Sequence, residues 1–145
     1  MKRRTDIDRL HEEIQELIDD LWHLPRFAGG RRGFRPAVDC IRSEDPAELT
    51  VVVELPGVEP SSIQVVAADR VLVVAGKRRR PDVHGRYQQL EIEYGPFQRR
   101  IPLDEPVDTN AATARFEGGM LTVTLPIAAE APKTERVAIV IRGMA

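Results

Sequence analysis

The 145-residue chain is poor in the features that announce an enzyme or a membrane protein. It has one cysteine, Cys40, so it can form no disulfide of its own, and a reducing compartment suits it. Aromatic residues make up only 5%, so aliphatic side chains must build the core. The formal net charge is -2, which gives no overall pull toward nucleic acid or acidic membranes. No apolar run reaches the length that spans a bilayer. The basic start Met1-Lys2-Arg3-Arg4 runs into acidic residues rather than an apolar stretch, so it does not read as a signal peptide. The expectation is a cytoplasmic protein without membrane insertion, large enough for one domain with flanking arms.

Catalytic motifs are missing as well. His11-Glu12-Glu13-Ile14-Gln15 opens like the zinc motif H-E-x-x-H, but Gln15 stands where the second histidine is needed. His23 and His84 have no partners at metal-ligand spacing. Ser61-Ser62 lacks the glycines of a nucleophile elbow, and no phosphate-cradling G-x-x-x-x-G-K-[ST] occurs. Cys40, within Val38-Asp39-Cys40-Ile41, reads as a small buried hydrophobe of a strand. No enzyme, cofactor or metal is expected. The run Lys77-Arg78-Arg79-Arg80 could bind phosphates, but without interleaved aromatics it reads better as a solvated strand end entering a loop.

What is present falls into three parts. Residues 1–35 form an arm. Within it, Ile7, Leu10, Ile14, Leu17, Ile18 and Leu21 recur at helical spacing over residues 5–24. Thr5 with Asp8 suggests a variant capping box, and Pro25 stops the helix. The other face carries Asp8, Glu12, Glu13, Glu16, Asp19 and Asp20, which oppose binding to anionic lipid. A Gly/Arg-rich linker follows. The greasy stripe must be buried on the domain, on another protomer or on a foreign chain, and the sequence leaves these open.

Residues 36–126 read as an all-β antiparallel sandwich or barrel, from short alternating runs punctuated by turn residues. Leu49–Leu55, Ile63–Val66, Val71–Ala75 and Leu90–Tyr94 are among these runs. The clearest is Gly119-Met120-Leu121-Thr122-Val123-Thr124-Leu125-Pro126, where apolar and hydroxyl side chains alternate between a glycine turn and a closing proline. Residues 127–145 are a tail: a small, polar linker, then the β-branched patch Val137-Ala138-Ile139-Val140-Ile141, with no obvious partner in its own domain. A β domain with a sticky arm at each end suggests assembly rather than catalysis.

Gly119-x-Leu121-x-Val123-x-x-Pro126, preceded by Ala114, resembles the signature of the small heat-shock proteins, the alpha-crystallin family. Pro36-Ala37-Val38-Asp39 with Glu44 is similar to its entry strand, Glu54-Leu55-Pro56-Gly57-Val58 to its E-L-P-G-V turn, and Tyr94-Gly95-Pro96-Phe97-Gln98-Arg99 to its Y-G-x-F-x-R segment. The pieces stand in the family's order. Departures are Gly118 in the usual Asn or Asp place, Leu103-Asp104 instead of L-P, and a tail without the central proline of the I-x-I anchor.

The resemblance implies an immunoglobulin-like sandwich acting as an ATP-independent holdase for unfolding clients, with homo-oligomers built from dimers. It implies that Ile139 and Ile141 anchor in a neighbour's groove beside Ile63 and Val65, with Val137/Ile139 as the other register. A segment within Arg78 to Leu90 would swap between protomers. Leu10, Ile14, Leu17, Leu21, Trp22 and Phe27 of the arm would contact clients. The rival readings are a structural adaptor that binds one folded partner through a sheet edge and, more weakly, nucleic-acid binding through Lys77–Arg80.

Overall fold

The computed structural model describes residue 16, residues 33–129 and residues 136–143. The helix expected over residues 5–24 therefore lies outside the described residues, apart from Glu16. Nine strands are described: β1 (Val38–Ser43), β2 (Glu48–Glu54), β3 (Gln64–Ala68), β4 (Val71–Arg78), β5 (Gly95–Pro102), β6 (Thr113–Glu117), β7 (Met120–Pro126), β8 (Val137–Ala138) and β9 (Ile141–Arg142). They make two sheets, ordered β1-β2-β7-β6-β9 and β5-β4-β3-β8. Every pairing is antiparallel except β6 with β9. The all-β sandwich matches the expectation.

Alternation sets the core. Val51 and Val53 of β2 stand opposite Val123 and Leu121 of β7, and all four are fully buried. Leu72 and Val74 of β4, Val65 and Ala67 of β3, and Phe97 and Ile101 of β5 meet them from the other sheet. Between β6 and β7 only Gly118 and Gly119 intervene, with φ of 57° and 80°. Both central residues thus lie in the left-handed region, as a tight hairpin turn requires. A Cβ on Gly119 would also stand 2.9 Å from Pro56 Cα, so this turn packs directly against the Pro56-Gly57 turn.

Three local expectations differ from the structure. Cys40 is exposed, because β1 is the outermost strand and five of its six residues are open to solvent. Leu90–Tyr94 forms no strand: the β4–β5 ladder ends at Arg78 opposite Gly95, so the preceding residues run past its last rung without a partner strand among the described residues. The patch 137–141 does have partners in its own domain, where its residues add β8 to one sheet and β9 to the other.

Candidate interaction surfaces

The tail seat is built from two sheet edges. In β8, Ala138 stands opposite Val66 and Val137 opposite Ala67. The chain then leaves that sheet at Ile139, whose amide donates to the Val65 carbonyl at 2.8 Å. The Ile139 side chain is 8% exposed and belongs to the central core cluster. Two residues later β9 runs parallel to β6, with Ile141 opposite Ala114. The tail thus crosses from one sheet to the other and closes one side of the sandwich. Ile63, Val65 and Ile139 share one cluster, and half-buried Ile141 packs against it. Val137, half-buried on β8, is not part of that cluster. All these contacts are made within one chain.

At the opposite edge stands β1, with no further strand beside it among the described residues. Ile41 of β1 is 51% exposed. Arg42 pairs with Glu44 and reaches Glu105 with its Nε 2.5 Å from the carboxylate, strapping β1 to the loop after β5. The Arg42 guanidinium holds the Glu105 carboxyl below the usual range, and the two carboxylates raise the arginine in turn. Partial burial, then Asp104, push the Cys40 thiol up.

Between β4 and β5 lies an exposed excursion, residues 79–94, bearing Val83, Tyr87, Leu90 and Ile92 on its surface. Arg78 holds its base. Its Nε and Nη2 donate to the Glu93 carbonyl at 2.9 and 2.5 Å, and Nη1 donates to the Pro56 carbonyl at 3.0 Å. The guanidinium lies 3.6 Å over the Phe34 ring and 5.4 Å from that of Tyr94. Phe34 meets Phe97 edge-on at 5.7 Å. Arg80 stacks 4.6 Å from the Tyr94 ring and 5.4 Å from that of Tyr87. The aromatics that Lys77–Arg80 lacks in sequence arrive from positions 34, 87 and 94. Sequence reasoning missed Arg78 because nothing in a charge run marks which member turns inward.

No site suited to bond-making chemistry is seen among the described residues. None of their polar or charged residues is buried, and no group of His, Cys, Asp and Glu is arranged to hold a metal. Ser62 is occupied structurally: its hydroxyl donates to the Glu59 carbonyl at 2.7 Å and accepts from the Lys77 amide at 3.0 Å. No described helix is long and apolar enough to cross a membrane. The arm residues Leu10, Ile14, Leu17, Leu21, Trp22 and Phe27 lie outside the described residues.

Residues 41–141 match the family model described as Hsp20/alpha crystallin family. The chain is 27% identical over 128 residues to small heat shock protein C2 of Rickettsia felis, covering 87% of this chain and 80% of that protein. It is 39% identical over 103 residues to the 16.9 kDa class I heat shock protein 1 of Triticum aestivum, covering 69% of this chain and 68% of that one. Among solved structures, heat shock protein 16.0 from Schizosaccharomyces pombe superposes with a TM-score of 0.60 at 29% identity, over 73% of this chain and 98% of that one. The sandwich, its signature strand and these matches agree: the chain belongs to the Hsp20/alpha crystallin family of small heat-shock proteins.

Proposed function

We propose that this protein is an ATP-independent holdase of the cytoplasm, which binds unfolding chains and keeps them from aggregating. The observation that carries the reading is the seated tail. Ile139 and Ile141 form a plug beside Ile63 and Val65, on a tether through residues 128–136. Burial of two isoleucines is worth on the order of 3–5 kcal/mol gross, and ordering the tether opposes it. Such a contact is weak singly and strong when multiplied. The same plug in a neighbour's seat links dimers into larger particles.

The dimer itself is assigned to the open edge. The excursion 79–94 presents Leu90 and Ile92 in alternation, each 61% exposed, and β1, with exposed Ile41, is the edge strand of its sheet among the described residues. One copy's excursion laid on the other's β1 satisfies both. Clients are met by Leu10, Ile14, Leu17, Leu21, Trp22 and Phe27, a surface that tolerates many sequences. Binding the unfolded state blocks its aggregation by mass action, so no energy source is required.

The test is thermal aggregation of a client at equimolar chaperone without nucleotide, alongside light scattering on the eluting particle. Suppressed aggregation by a particle larger than a dimer is expected. Unchanged aggregation overturns the reading. The exposed β1 edge favours one second reading, an adaptor for a single folded partner; a narrow range of tightly bound partners would bring it forward.

A further inference from the structure

Four cations follow one another at the end of β4 and just beyond it: Lys77, Arg78, Arg79 and Arg80. With Tyr94 and Gly95 they line a single open cleft of about 350 Å³. Clustered like charges repel, and a surface ordinarily relieves them with interspersed carboxylates. Here it does not. Asp82, Glu91 and Glu93 lie on the same excursion, yet no carboxylate among the described residues pairs with any of the four cations. The net charge of -2 does not cancel the patch, because charges more than about 10 Å away are screened at moderate salt.

The cleft stands on fixed backbone. Lys77 lies opposite Pro96 in the β4–β5 ladder; its amide donates to the Ser62 hydroxyl oxygen at 3.0 Å, and its carbonyl accepts from the Glu59 amide at 3.3 Å. Arg78 is consumed by the fold, since its Nε, Nη1 and Nη2 already donate to the Glu93 and Pro56 carbonyls. Arg80 is different. Its guanidinium is held against the rings of Tyr94 and Tyr87, at 4.6 and 5.4 Å, but none of its N–H groups donates to an acceptor among the described residues. A planar fork positioned by stacking, with its donors unspent, fits the oxygens of a phosphate. Lys77 and Arg79, both exposed, add charge for neighbouring phosphates. Tyr87, 46% exposed, offers ring surface beside the fork.

We infer that this cleft binds single-stranded nucleic acid, with the Arg80 fork on one phosphate, Lys77 and Arg79 on its neighbours and an unpaired base against Tyr87. Several unspent cations suit a chain of phosphates rather than a lone ion, and exposed ring surface suits bases that are free of a duplex. The charge run alone argues poorly for such a ligand because it carries no aromatics; the fold brings them from the far end of the excursion. Neither the seated tail nor the exposed Leu90 and Ile92 line the cleft, so nucleic-acid binding is separable from assembly and from client holding.

The test is fluorescence anisotropy of a labelled oligouridylate of about a dozen nucleotides, titrated with the full chain. Saturable binding is expected, weakening about twentyfold between about 50 and 200 mM salt when three phosphates are held. Lys77→Gln with Arg79→Gln should cut that salt dependence to about threefold. Arg80→Lys, which keeps the charge, should weaken binding at least about fivefold and leave the salt dependence in place. All three positions are exposed, so the β signal in circular dichroism should not change. No binding at about 50 mM salt overturns the inference. So does binding that survives these substitutions, which would assign it to the Gly/Arg-rich linker. So does equal affinity for an abasic strand or for inorganic polyphosphate, which would leave phosphate recognition without a base.

Discussion

Ile139 donates its amide to the Val65 carbonyl at 2.8 Å and sinks its side chain into the cluster that Val65 helps to line. One residue of the tail thus completes both a ladder and a core. Ile139→Ala should destabilise the domain by about 2–4 kcal/mol, in the range of buried isoleucine truncations. Ile141→Ala, at a half-buried position, should cost less. Urea melts of both variants decide it; equal costs would mean that the seat does not grip Ile139 preferentially.

Gly118 and Gly119 share a turn but not a sensitivity. At Gly118 a Cβ would meet nothing within 4 Å, whereas at Gly119 it would collide with the Pro56 backbone at 2.9 Å. Gly118→Ala should lose about 1 kcal/mol from backbone strain alone, and Gly119→Ala at least about twice that. Thermal melts giving the reverse order would show that the two turns do not pack as described.

Arg78→Lys keeps the charge but loses the planar fork that spans the Glu93 and Pro56 carbonyls and stacks on Phe34. The excursion should open. Trypsin cleavage after Arg86 is expected to accelerate about five- to tenfold while the β signal in circular dichroism is retained. Unchanged cleavage would mean that the excursion is held elsewhere.

Glu105 titrates below its ordinary value because Arg42 stabilises its charge. A carboxyl depressed on folding contributes stability that is fully present above its unfolded pKa and is lost as pH falls through the lower folded value. Glu105→Gln should therefore narrow the stability difference between neutral and acidic pH. The effect will be small, since both partners are exposed. A parallel downward shift of the whole pH curve would show that packing, not charge, is what Glu105 supplies.

The strand positions were legible because apolar alternation in β2, β4 and β7 is a local signal, and Gly118-Gly119 and Pro56-Gly57 carry their own turn chemistry. Misreadings arose where neighbours decide. Cys40 and Val51 stand opposite each other, yet only Val51 is covered, because among the described residues no strand lies beyond β1. Leu90 and Ile92 alternate like a strand but pair with no strand among the described residues. The resemblance pointed Ile139 and Ile141 to Ile63 and Val65 of a neighbour, but that the tail seats within its own chain, with Ile141 beside Ala114, was not legible, because these residues lie far apart in sequence and meet only through topology.

The seated tail also fixes what an assembly can gain. A chain that already fills its own groove wins no new contact by lending its plug to a neighbour; the bond broken and the bond made are the same bond. The choice between self-closure and linkage then falls to the tether spanning residues 128–136, through the local concentration at which it holds Ile139 over each groove. On the holdase reading, particle size would follow linker length and protein concentration. Shortening that tether below its span should favour lending, and lengthening it should have little effect on the strength of either bond.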